Sequence, residues 1–421
     1  MSRRVQSALV LGASIVCGII LVAGVLLYAT YGVVGIVVTI ATLFTVMYAP
    51  LALTQPILLI RNARYVSRKA RLFAGAPPVP GRRVLAVVCT NGGSPTTVQV
   101  ILGSLRSYVN SLPGPLEMQV LVEERDRHTY SAPRIEVPSS FRCPQGSQHK
   151  MRALHYFSVW LLENGYGEET YVLHLDDDSV PTKGYVDYLY RMREPSGQGN
   201  VRLRMHGKHL FSTLADLVRV GDCDAWCDTF NRVGRPMAVH GEGLVIRADV
   251  EGRLGWDFGT YGADDLLMGQ QLVSEGIPFD LIPHEIHIAP PTSARDFYRQ
   301  RRRWIISILW ARRELRALRP VAWWWALYRY IVGWTGFFGL MFVLYGFLFH
   351  PPILLPVEIV GVVNFGSYIT FYQYGAWRTD RRYAWKMALC QIPVAFYEGG
   401  TLFWSLLFPP DPGVFDVIHK V

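Results

Sequence analysis

The chain has 421 residues, half of them apolar, and a formal charge of +9. It is too long for one ordinary soluble domain and too apolar for a simple one. The positive charge would suit a nucleic-acid binder, but no recognised nucleic-acid motif accompanies it, and the charges flank apolar stretches as the positive-inside bias of membrane proteins requires. Residues 5–60 contain no charged residue and no histidine. A bilayer core takes about 20 apolar residues per helix, so this stretch predicts two spans, divided near Tyr31-Gly32. The apolar run exceeds that of a cleaved signal peptide, so a retained hairpin is expected. Arg61, Arg64, Arg68, Lys69 and Arg71 follow with no acid among them and mark the cytoplasmic side.

Residues 74–81 form a Pro/Gly linker, and the polarity of a soluble domain then runs to about residue 292. Strands are expected over 83–90, 118–123, 171–175 and 243–247, and helices over 95–110, 150–164, 210–233 and 266–275. Strands alternating with helices predict an α/β domain with a Rossmann-like, mostly parallel sheet. Ligands of such sheets bind beyond the carboxyl ends of the strands, where Asn91-Gly92-Gly93, Glu124–Asp126 and Asp176-Asp177-Asp178 would lie. Six scattered cysteines make no disulfide framework. Cys223 and Cys227 stand i, i+4; helix packing is expected there, with a zinc site as the alternative.

The arginine-rich segment 293–320 interleaves aromatic and apolar residues and predicts helices lying in the membrane interface. Three apolar stretches follow within 321–410, the second carrying Glu358 and the third Glu398, and each is long enough to span. The tail 411–421 closes the chain.

The chemistry centres on the acids. The run Val172–Leu175 ends in three aspartates, and alternation along a strand would put Asp176 and Asp178 on one side. Such a pair suits Mg²⁺ or Mn²⁺, although an isolated run of acids is equally an ordinary solvated loop. Asp264 and Asp265 open a helix, where acids also serve as partners of the helix dipole. Gln300, Arg303 and Trp304 share one helix face and offer an amide, a guanidinium fork and a flat ring.

This order of signals, DxD, then an acid pair, then Gln300-Arg301-Arg302-Arg303-Trp304, resembles the membrane-integrated family 2 glycosyltransferases of GT-A fold. Lys150–Leu154, His174–Asp176, Leu214–Asp216 and the QRRRW run look like the egghead-type β-1,4-mannosyltransferases. The resemblance implies a nucleotide-sugar donor, with GDP-mannose favoured, and a Mn²⁺ or Mg²⁺ ion on Asp178 with Asp176 close by. It implies Asp265 as general base beside Asp264, and Arg303 as a fixed cation for the leaving diphosphate. Thr90, Asn91, Asp126, Lys150, Arg152, Asp176, Asp177, Gln300 and Arg303 would hold the donor. Trp304 would face an acceptor that is lipid-linked or a glycan, at the bilayer; Glu242 and Trp256 would join it in the sugar pocket, with plain packing as the alternative for both. One displacement by one base implies inversion, so an α-linked donor gives a β-glycoside. A processive synthase using a UDP-sugar, or a transporter or receptor whose domain only binds ligand, are the alternatives. His174 is expected in the core.

Overall fold

The computed structural model describes residues 29, 32–204, 209–260, 262–333 and 355–410. The chain divides into two compact units, residues 1–57 with 329–371 and residues 58–328 with 372–421. In the first unit, polar bonds tie two helices. Asn364 donates to the Thr45 carbonyl at 2.6 Å, and Ser367 donates to Gln55 Oε1 at 2.9 Å.

The second unit is built on one eight-stranded sheet. Its strands are β1 (Arg83–Cys89), β2 (Leu116–Glu123), β3 (Arg134–Val137), β4 (Thr170–Asp176), β5 (Val180–Pro181), β6 (Ser196–Leu203), β7 (Val245–Arg247) and β8 (Phe279–Ile288). They stand in the order β3-β2-β1-β4-β7-β6-β8-β5. The half β3-β2-β1-β4 is parallel. Beyond it the sheet is mixed: β7 runs antiparallel to both β4 and β6, β5 antiparallel to β8, and β6 parallel to β8. Four of the seven pairings are parallel, so the mostly parallel sheet expected from the sequence holds, and every antiparallel pairing involves β5 or β7. The alternation of strand and helix that signals parallel crossovers holds only through β4.

The core follows from composition. The β1 run Val84–Val88 and the β4 run Tyr171–Leu173 have essentially no exposure. The helix His149–Glu163 buries Met151, Leu154, Phe157 and Leu161 at three- and four-residue spacing, one stripe toward the sheet. Phe157 and Leu161 pack with Leu85, Val172, Ile246 and Trp256. Each such side chain contributes roughly 1.5–3 kcal/mol by leaving water. The register pairs Cys89 with Asp176, so the chain leaves β1 and β4 side by side and their C-terminal turns are neighbours.

Residues 210–232 form short helices around a π-helical turn at Cys223–Cys227. The arginine-rich segment is a helix, Ala294–Trp310, capped by the Ser293 side chain on the Asp296 N–H, and a second helix, Arg312–Leu318. The last apolar stretch lies in the helix Arg381–Leu407, which packs on Ala294–Trp310 and on Leu210–Asp216. There the Tyr397 ring stacks on Phe297 at 4.9 Å and its hydroxyl meets Ser212 at 2.8 Å. Elsewhere on the same helix Leu389, Leu406 and Leu407 are exposed. Among the described residues, no helix is long and apolar enough to cross a membrane. The first expected span, most of the third and the C-terminal tail lie outside the described residues.

Candidate active site

A small cleft opens beyond the C-terminal ends of β1 and β4. Cys89, Lys150, Asp176, Gly241, Asp264 and Asp265 line it, with His174, Leu244 and Trp256 among its deeper residues. Asp176 ends β4, and Lys150 stands in the first turn of the helix His149–Glu163. The Lys150 ammonium donates to Asp176 Oδ1 at 2.6 Å and lies 3.2 Å from Asp264 Oδ2. Burial alone would lower its pKa, but Asp176 and Asp264 outweigh burial and raise it well above the ordinary lysine value. Lys150 is therefore a permanent cation between two carboxylates.

Asp264 and Asp265 begin the helix Asp264–Ser274, entered through Ala263 in the left-handed region at φ 60°. An L-residue is strained there, a cost characteristic of functional turns. Asp265 accepts the Leu266 N–H at 2.8 Å. Its pKa is pushed up to about 7, first by burial and then by the Asp264 charge, against the pull of Lys150. Gly262 lets this turn sit against the arginine-rich helix, since a Cβ there would come within 2.5 Å of Ser307 Oγ. The acid pair and the QRRRW helix are thereby joined at one place.

The turn after β1 forms the next wall. Thr90 donates to Asp177 Oδ2 at 3.2 Å and accepts the Gly92 N–H at 3.1 Å. Gly92 abuts Asp126, whose Cγ a Cβ would approach to 3.2 Å. Asp126 accepts from Tyr130 at 2.7 Å and from the His128 N–H at 2.8 Å. Burial favours its neutral form, but these bonds prevail and hold its pKa below the usual carboxylate value. Asn91 accepts the Gly93 N–H at 2.9 Å.

Asp178 does not follow strand alternation. β4 ends at Asp176, and a turn closed by the Ser179 N–H on the Asp176 carbonyl at 3.0 Å carries the next two acids. Asp178 is 1 % exposed, and Arg204 donates to its backbone carbonyl at 2.7 Å. The expected common side for Asp176 and Asp178 therefore has no basis in strand geometry. Arg152 is likewise held away from the donor role assigned to it: its guanidinium bonds Glu123 at 2.8 Å and the Pro138 carbonyl, and it does not line the cleft. Trp256 is 2 % exposed and donates its indole N–H to Glu251 at 2.8 Å. It is a packed floor of the cleft, and its polar edge is already used. His174 is buried as expected, with Nε2 3.0 Å from Glu251.

A second polar cluster extends from the cleft wall. Arg219 donates to Glu242 Oε1 at 2.7 Å and lies 3.7 Å from Asp216. Arg301 donates to Asp216 at 3.0 Å. The Trp304 ring lies 5.1 Å from the Arg219 guanidinium and 4.6 Å from that of Arg301. Glu242 and Trp304, both expected to face the acceptor, are thus joined through two arginines. Neither Arg219 nor Arg301 was singled out by motif. The visible signal for Arg219 is its i, i+3 relation to Asp216. Gln300 is 1 % exposed, and its Nε2 has no hydrogen-bond partner among the described residues. Arg303 is partly exposed on the same helix.

Comparison with known proteins bears on this site. The β-1,4-mannosyltransferase egh of Drosophila melanogaster is 28 % identical over 187 residues, 42 % of this chain and 40 % of that protein. The β-1,4-mannosyltransferase bre-3 of Caenorhabditis briggsae is 28 % identical over 188 residues, with the same shares of each chain. The matched region thus spans about 40 % of the length of these relatives. Among solved structures, the mannosyltransferase PcManGT from Pyrobaculum calidifontis, in complex with GDP-Man and Mn²⁺, aligns with a TM-score of 0.48 at 16 % identity, covering 87 % of this chain and 99 % of that one. The sequence profile of glycosyl transferase family group 2 matches residues 171–397, more than half of the chain and including the acids at 176–178, the pair at 264–265 and the arginine-rich helix. The chain belongs to glycosyl transferase family group 2.

Proposed function

We propose that this protein is an inverting, metal-dependent mannosyltransferase. It moves mannose from GDP-mannose to a hydroxyl of a lipid-linked or glycan acceptor at the membrane, forming a β-glycosidic bond. The observation that carries the reading is the Lys150-centred cleft, where Asp265, with a pKa near neutrality, stands beside the acid at the tip of β4. The mannosyltransferase names of the curated relatives favour mannose as the sugar. The mixed sheet with acids beyond β1 and β4 suits the GT-A architecture.

The donor set fits a divalent ion. Mg²⁺ and Mn²⁺ take one or two protein carboxylates and complete their shells with water and substrate phosphates. The cleft already draws a cation between its carboxylates, the Lys150 ammonium. Asp178 and Asp176 would hold the ion, which supplies positive charge to the leaving diphosphate.

The remaining chemistry belongs to the chain. The turn Thr90–Gly93 and Asp126 receive the nucleotide, and Thr90 keeps Asp177 oriented. The Gln300 Nε2, whose amide oxygen already accepts from Arg301 at 3.0 Å, would donate to a donor or acceptor oxygen. Asp265 takes the proton of the acceptor hydroxyl as its oxygen bonds the anomeric carbon and the carbon–phosphate oxygen bond breaks. A base with a pKa near the working pH is half ionised yet still basic enough to act. Arg303 adds fixed positive charge as the diphosphate leaves. Attack from the face opposite the leaving group inverts the anomeric centre.

We further propose an integral membrane protein with this domain on the cytoplasmic side. The uncharged run 5–60, the arginine cluster after it and the exposed Leu53, Ile57 and Ile60 support this.

The deciding experiment incubates the purified protein in detergent with Mn²⁺, a glycan acceptor and a panel of GDP- and UDP-sugars. GDP release from GDP-mannose with a β-linked product is expected. Release only from UDP-sugars would overturn the donor, and a retained configuration would overturn the single displacement.

A further inference from the structure

Outside the cleft, one cluster has the composition of a metal centre. Cys223 Sγ and Cys227 Sγ each lie 3.3 Å from His240 Nε2. All three ligand atoms lie within 4.8 Å of one another, and among the described residues this is the one such group of three. We propose that Cys223, Cys227 and His240 bind a zinc ion, with water in the fourth position.

Three observations carry this. The first is the donor set: two thiols and an imidazole suit zinc above Mg²⁺, Mn²⁺ or Ca²⁺, which prefer oxygen. The second is geometry. Zinc–sulfur and zinc–nitrogen bonds at tetrahedral angles separate sulfur from nitrogen by about 3.6 Å. The observed 3.3 Å needs only a slight opening to admit the ion. The third is how the ligands are delivered. Both cysteines lie on a π-helical turn, a rare local feature found frequently at functional sites. His240 comes from a distant loop held in place by Gln198, which donates to the His240 carbonyl at 2.5 Å and accepts the His240 N–H at 3.1 Å. Two segments with no local reason to meet thus converge three ligands. Both cysteines are buried.

Binding would release one proton from each thiol to solvent as the thiolates coordinate. No oxidant or reductant is involved. The consequence is positional. The ion would tie the 218–232 helices to the segment His240–Gly243, whose Gly241 lines the cleft and whose Glu242 is bonded by Arg219. Zinc here serves the cleft wall and is distinct from the ion at Asp176 and Asp178.

The test uses the full chain, purified in detergent from zinc-supplemented cells. Elemental analysis is expected to find one zinc per chain after dialysis. Replacement by Co²⁺ is expected to give a thiolate-to-cobalt charge-transfer band with the intense visible bands of a tetrahedral site. Cys223→Ser with Cys227→Ser should abolish both the zinc and the band, whereas Cys390→Ser should keep them. Wild-type protein that arrives without zinc and gives no charge-transfer band with Co²⁺ overturns the proposal, and so does a folded double variant that keeps its zinc. If the double variant does not fold, the wild-type cobalt titration decides alone. None of these readouts depends on sugar transfer, so a failed donor assay leaves them intact.

Discussion

Replacing Asp265 with asparagine removes the proposed base while keeping size and the contact to the Leu266 N–H. With a pKa of about 7, the wild-type carboxyl is ionised to about one-tenth at pH 6, one-half at pH 7 and nine-tenths at pH 8. Turnover should therefore climb about tenfold per pH unit on the acid side and level off above neutrality. A positioned general base contributes about 10²–10⁴ in rate, or about 3–5 kcal/mol of barrier, and Asp265→Asn should lose that much. Nucleoside diphosphate release, followed across pH with saturating donor, measures both. Donor affinity, read by calorimetry at pH 6 where the wild-type carboxyl is already mostly neutral, should be little changed. Asp264→Asn should shift the acid limb to lower pH, because the Asp264 charge is one of the causes raising the Asp265 pKa. Stability offers a second readout. A carboxyl whose pKa is raised on folding contributes stability that is complete below its unfolded value and is lost as pH rises through the folded one. The gain in thermal midpoint of Asp265→Asn over wild type should therefore grow between about pH 4 and about pH 7 and then stay level. An Asp265→Asn enzyme with wild-type turnover, or an acid limb unmoved by Asp264→Asn, would refute the assignment.

Asp178→Ala should remove metal-dependent turnover, as measured by a Mn²⁺ titration of activity. Gly241→Ala would bring a Cβ to 2.6 Å from Lys150 Nζ, displacing the ammonium from its two acids, so donor KM should rise well before folding fails. Arg301→Ala strips the buried Asp216 of its 3.0 Å partner and should cost roughly 3–5 kcal/mol of stability in a denaturant titration. Arg303→Ala, on the more exposed side of the same helix, should lower turnover by about 10²–10³.

How much of this was legible beforehand depends on what each residue packs against. β1, β2 and β4 announce themselves as apolar runs, and Asn91–Gly93, Glu124–Asp126 and Asp177-Asp178 follow their C-terminal ends as expected, with Asp176 the last residue of β4. β6 does not. Its sequence Ser196-Gly197-Gln198-Gly199-Asn200-Val201-Arg202-Leu203 reads as a polar loop, yet every residue is buried. The polar ones find partners from afar: Gln198 in the His240 loop, Asn200 and Arg202 in Asp224. Such partners are 22 to 44 positions away in sequence, so no window could reveal them. The arginine-rich helix shows the same limit. Its motif drew attention to Arg303, whereas Arg301, next but one before it, makes the buried ion pair, because only the packing of the helix on Asp216 distinguishes their faces. Strand alternation does not govern Asp176 and Asp178 for a local reason: the strand ends at Asp176, and a turn carries the next two acids.

The charges of the cleft set a condition on the donor. Above neutrality Asp176, Asp264 and Asp265 face it as carboxylates against the single Lys150 ammonium, a surplus of two negative charges. A sugar diphosphate brings about two more. Like charges about 4 Å apart repel by about 4 kcal/mol at an effective dielectric near 20, and several such pairs would form. Lys150 cannot relieve this, because Asp176 and Asp264 already engage it. One divalent ion carries two positive charges, which would halve that combined surplus of about four. Donor affinity, and not only turnover, should therefore weaken at least about 10²-fold in chelator. The penalty should shrink as pH falls below about 7, where Asp265 becomes neutral and removes one of the repelling charges. Equal donor affinity with and without chelator at alkaline pH would mean that the phosphates bind away from these acids, against the arginines instead.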